Sequence, residues 1–64
     1  MCLSIAYKNK VAPENILMRN VVSAQYVNGR LQLTDLMERK LDVDGQIEFV
    51  HLTDDYMVIR TSEK

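Results

Sequence analysis

Apolar side chains recur at alternate positions through most of this chain, and its two glycines each follow Asn or Asp, at Asn28-Gly29 and Asp44-Gly45. A period of two is the spacing of a strand with one face buried and one face wet. An Asn-Gly or Asp-Gly pair between two such runs suits a two-residue hairpin, because both central residues tolerate positive φ. Together the two features commit the chain to an all-β fold.

Read in order, Leu3, Ile5 and Tyr7 alternate with Ser4, Ala6 and Lys8, giving a first strand that starts almost at residue 1 and would hold that terminus against the domain. Lys8-Asn9-Lys10 breaks it. Val11 to Met18 has some helical flavour, but Pro13 and Asn15 make it a loop or short turn leading into a strand. Val21 to Val27 is β-branched and ends in the hairpin Val27-Asn28-Gly29-Arg30, with Leu31, Leu33 and Leu36 on the return strand. Glu38 to Val43 alternates again, and Asp44-Gly45 predicts a second hairpin, with Ile47 and Phe49 facing one way and Glu48 and Val50 the other. A turn over His51 to Asp55 precedes a last strand, Tyr56 to Arg60. Five or six short antiparallel strands in one domain, residues 1–64, predict a small SH3-like or partly open β-barrel, since closure protects strand edges.

Size then bears on assembly. A chain of 64 residues buries only about 60% of the surface its unfolded form exposes. One cysteine excludes an internal disulfide, and no CxxC or His/Cys cluster offers a structural zinc site. Very good packing or a partner chain must then supply the missing burial, and self-association as a homodimer is expected.

Eight Lys and Arg against nine Asp and Glu leave a net charge of −1. Arg30, Arg39 and Lys40 are interspersed with acids, so composition gives nucleic-acid binding no support. No basic segment followed by an apolar core marks a secretory signal. No apolar run approaches the ~18 residues a membrane span needs. An unpaired thiol fits a reducing cytoplasm.

Few residues could carry chemistry. Both glycines belong to turns, so no phosphate loop exists, and a cleft for a Cys2–His51 nucleophile pair is hard to build at this size. The chain does not read as an enzyme. His51 reads as a surface or half-buried residue at a strand end, and Asp54-Asp55 as turn formers. Tyr7, Tyr26, Tyr56 and Phe49 read as core or interface packing rather than a base-stacking platform. Met18, Met37 and Met57 are too dispersed for a thioether metal site.

Cys2 leaves two readings open: an incidental or buried thiol, or a metal ligand. Its thiolate, its amide nitrogen and the Met1 amine can close five-membered chelate rings around one ion, and planar N and S donors suit Ni(II). Proton release on binding makes such affinity rise with pH. A symmetric dimer could bring two such termini to one ion.

Here the chain resembles a known family. The start Met1-Cys2-Leu3, the Val27-Asn28-Gly29-Arg30 hairpin, the block Leu33-Thr34-Asp35-Leu36 and the paired strands from Leu41 to Ile59 are similar to the CooT-like small proteins. The resemblance spans nearly the whole chain. It implies a cytoplasmic homodimer with a small barrel fold that binds nickel through Cys2, with the Met1 amine and Cys2 amide as co-ligands. It also implies a nickel enzyme as client, since named members are linked to nickel insertion into carbon monoxide dehydrogenase. If Met1 is removed, the donors become the Cys2 amine and thiolate. Members have also been described as RNA-binding from their fold, which makes an RNA-binding barrel using Arg30, Arg39 and Lys40 the alternative function.

Overall fold

The computed structural model describes residues 3–61. Six strands form one sheet: β1 (Ser4–Lys8), β2 (Ile16–Val27), β3 (Arg30–Asp35), β4 (Lys40–Val43), β5 (Gly45–His51) and β6 (Tyr56–Thr61), with a single 3₁₀ turn over Pro13–Asn15. Their order in the sheet is β4-β3-β2-β1-β6-β5. The all-β, barrel-like architecture expected from period two is therefore present, and the sheet is not closed.

The long β2 makes the curl possible. Its first half pairs with β1 and its second half with β3. Between them Asn20 sits at φ 57°, a left-handed conformation that Asn tolerates better than most residues. Irregular registers on both sides of this point bend the strand, as bulges do. The core fills the concave face with Ala6, Val21, Leu31, Leu33, Val43, Met57 and Ile59.

Asn28 (φ 54°) and Gly29 (φ 82°) form the expected hairpin, closed by the Val27–Arg30 pair. Five other expectations are corrected. Asp44-Gly45 is not a hairpin: β4 and β5 lie at opposite edges of the sheet, joined only by Asp44, and the chain turns a corner there. The two edges must approach each other at that corner, and this is what rolls the sheet. Gly45 is required by space, since a Cβ would lie 2.5 Å from the Arg60 carbonyl oxygen.

The strands are not all antiparallel, because β1 runs parallel to β6 (Ile5↔Tyr56 to Lys8↔Ile59). Within β1 the core-facing residue is Ala6, fully buried, while Ile5 and Tyr7 are half-buried. Ala6 thus contributes a methyl group to the core cluster. Ile47 and Phe49 lie on opposite faces. A bulge between them lets Ile47 pair with core residue Ile59, while Phe49 pairs with Val58 and packs on Tyr56 outside. Finally, Leu36 and Glu38 are not strand residues. β3 ends at Asp35, Glu38 is at φ 65°, and β4 begins at Lys40.

Candidate functional site

The register converges on one end of the barrel, where β1 begins. Ser4 pairs with Val21, and Val21 with Asp35; on the other side Ile5 pairs with Tyr56, and Tyr56 with His51. The Ile5 amide also donates to the Asp55 carbonyl at 3.1 Å. The first strand thus enters the sheet at its middle, held on both sides. Two turns flank it: 36–39 between β3 and β4, and 52–55 between β5 and β6. Met1 and Cys2, the predicted metal ligands, lie outside the described residues.

The first turn is organised by Asp35, 4% exposed. One carboxylate oxygen accepts from the Met37 amide (2.9 Å) and the Arg39 amide (2.8 Å), and the other from Arg39 Nε at 2.8 Å. Burial alone pushes this carboxyl up. The Arg39 amide, guanidinium hydrogen bond and charge, with the Met37 amide, outweigh it and hold Asp35 below its ordinary 3.8. The sequence reading did not single out Asp35 as a site residue. The available signal was an acid followed four residues on by Arg39.

The second turn holds His51 as a structural residue. Its ring stacks on Tyr56 (centroids 5.0 Å apart, planes 7° apart), and Nδ1 lies 3.4 Å from the Asp54 amide, which donates to it. Asp54 Oδ2 is 3.6 Å from the same nitrogen. Asp55 occupies φ 57°. His51 is half-buried at the end of its strand, as expected.

Tyr7, Phe49 and His51 all gather on Tyr56, the first two edge-on at 5.9 Å. Tyr26 stands apart, its hydroxyl accepting the Ile47 amide at 2.9 Å. Met57 is buried, Met18 packs against the core and Met37 is exposed, so the thioethers do not meet. Arg30 begins β3 and Arg39 is tied to Asp35 at its far end, so the cations of the RNA alternative do not share one patch. At the opposite end of the barrel a cavity of about 240 Å³ is lined by Lys8 and Arg30 but also by Asp42 and Asp44. Among the described residues no three His, Cys, Asp or Glu side chains group as a metal site. No described helix is long and apolar enough to cross a membrane.

A sequence search of the curated proteins returns no significant match. In structure, the chain is similar to the crystal structure of a protein designated CooT from Carboxydothermus hydrogenoformans. That match has a TM-score of 0.83 at 14% identity and covers 97% of this chain and 100% of the other, a likeness that establishes the fold. The family described as CO dehydrogenase accessory protein CooT matches residues 1–60, so the chain belongs to a family that serves CO dehydrogenase as an accessory and is not itself an enzyme.

Proposed function

We propose that this chain is a cytoplasmic, homodimeric nickel-binding accessory protein that carries Ni(II) on Met1 and Cys2 for a client enzyme. The observation that carries the reading is family membership over residues 1–60, a span that includes Met1-Cys2-Leu3. The donor chemistry supports it. A terminal amine, an amide nitrogen and a thiolate are a planar N/S set suited to Ni(II). Among the described residues no other cluster competes for the ion. The ladder on both sides of β1 gives this donor set a firm base, because residue 3 leads directly into a strand paired with two neighbours. CO dehydrogenase is the client that the family description names.

Titration of the untagged protein with Ni(II) tests this. Thiolate-to-nickel charge-transfer absorption is expected in the wild type and absent in Cys2→Ser. Affinity is expected to rise with pH, because the donors must lose protons. Extending the N-terminus by a tag is expected to weaken binding, since it converts the amine into a peptide bond. Equal affinity in wild type and Cys2→Ser overturns the proposal.

A further inference from the structure

The two edges of the open sheet, β4 and β5, are unlike. β4 is four residues long, and so short an edge offers a foreign strand little to pair with. β5 is seven residues long, and Phe49 (43% exposed) and Val50 (46%) present apolar side chains on it. β6 pairs with one side of β5 only, so the backbone groups along its other side face the open seam. A long apolar edge pairs with other chains unless something blocks it.

The far half of β5 carries two blocks of its own: the register shift between Ile47 and Phe49, and the Glu48 carboxylate. The near half, Gly45 to Ile47, has neither. There the Ile47 amide donates to the Tyr26 hydroxyl at 2.9 Å. Tyr26 lies on β2 opposite the fully buried Leu31, so both side chains leave the sheet on the same face. Yet Tyr26 is 55% exposed, so burial does not account for its position. Packing does not close the seam either. Gly29, at the tip of the β2–β3 hairpin, lines a hollow of about 330 Å³ together with Gly45 and Gln46.

We infer that Tyr26 is a lock on the open seam of the barrel. By capping the Ile47 amide, its hydroxyl holds the β2–β3 hairpin to β5 and keeps this stretch of edge from pairing with a strand of another chain. The oxygen is the working atom, because it occupies the donor that an incoming strand would need. A phenylalanine at this position keeps the ring and loses only that acceptor.

Amide hydrogen exchange on the full chain, followed by NMR, tests the lock. In the wild type the Ile47 amide is expected to be protected although it lies on an edge strand. In Tyr26→Phe its exchange is expected to be at least about tenfold faster, since the amide loses its partner and the seam opens locally. The Leu33 amide, in a strand paired on both sides, is expected to keep its wild-type rate. Sedimentation velocity is expected to show Tyr26→Phe forming species larger than the wild-type assembly as concentration rises. An unchanged Ile47 rate in the variant, or equal acceleration of Ile47 and Leu33, overturns the lock. Faster Ile47 exchange with no larger species overturns its role as an edge guard. If Tyr26→Phe does not fold, the wild type still decides, because an Ile47 amide exchanging there as fast as in an unstructured peptide overturns the lock.

Discussion

The two ends of the barrel differ in chemistry although one set of strands builds both. At one end the Asn28-Gly29 hairpin, the Asp44-Gly45 corner and the ends of β1 and β6 come together. Lys8, Arg30, Asp44, Arg60 and Thr61 line the hollows between them. At the other end the turns at 36–39 and 52–55 carry the most exposed apolar side chains around the entry of β1. The polar end satisfies its chain reversals with Asn, Asp and Gly and leaves cations and acids beside each other in water. The opposite end places Glu38 and Asp55 at its positive-φ positions and presents Leu36, Met37 and Leu52 outward. The contrast teaches that turn geometry does not set polarity, since positive-φ positions occur at both ends. The end where β1 begins carries the more exposed apolar surface.

The largest effect is expected where both ends depend on one strand. β3 runs from Arg30 at the polar end to Asp35 at the apolar end, with fully buried Leu33 between them. Leu33→Ala is expected to cost 2–5 kcal/mol, roughly the range for a buried leucine, and to loosen both ends together. Urea unfolding followed by circular dichroism measures the loss. A cost below about 1 kcal/mol would mean that the two ends do not share a core at this strand.

Gly45→Ala acts on the polar end alone. The added Cβ would lie 2.5 Å from the Arg60 carbonyl oxygen and 3.1 Å from the Thr61 methyl, so backbone must move. A cost of about 1–3 kcal/mol is expected from this crowding. If the chain carries nickel on Met1 and Cys2 as proposed, its nickel affinity should stay at the wild-type value, since the corner lies away from Ser4, where β1 begins. A Gly45→Ala protein that folds normally but loses nickel would erase the distinction between the ends.

Most strands could be read from alternation, and the Asn28-Gly29 hairpin from its two residues, because both are local signals. Pairing partners are not local. Asp44-Gly45 carries the same dipeptide signature as a hairpin, yet the strands it joins end on opposite edges of the sheet. Nothing within β1 or β6 marks them as parallel neighbours separated by about fifty residues of chain. Period two also fails at a bulge: one extra residue at Glu48 turns Phe49 outward, although its spacing from Ile47 is that of a shared face. Ala6 is inconspicuous because its role is to be small. Cys2 by its own chemistry stays open between an incidental thiol and a ligand, and only the resemblance to a family points to the ligand. Leu36 reads as a strand residue because an exposed turn leucine and a core leucine look alike in sequence.

Acid is expected to affect the apolar end first. The Asp35 carboxylate holds the 36–39 turn through the Met37 and Arg39 amides and the Arg39 side chain, and its pKa is depressed in the folded state. A depressed carboxylate stabilises fully above its ordinary value of about 3.8 and loses that contribution as pH falls through the folded value. Thermal melts should therefore show a Tm that declines below pH 4 in wild type and declines less in Asp35→Asn. Asn keeps an acceptor for the amides but loses the charge facing Arg39, so its Tm should be lower than wild type at pH 7. Equal pH profiles for the two proteins would remove Asp35 as the acid-sensitive group.

The smallest effect is expected from the ion pair between Arg60, which lines a hollow at the polar end, and Glu48 on the β5 bulge. Its two side chains are 69% and 35% exposed, so water and salt screen it. Glu48→Gln should change stability by no more than about 1 kcal/mol, and the difference should shrink in molar salt. The variant is informative because Glu48 is the only carboxylate on β5, an edge strand that otherwise presents Phe49 and Val50. Removing it leaves β5 without a carboxylate and does not touch either apolar turn. If the chain is the homodimer proposed above, sedimentation of Glu48→Gln should still give a dimer of unchanged affinity. Growth of larger species instead would show that this carboxylate keeps the β5 edge from pairing with other chains.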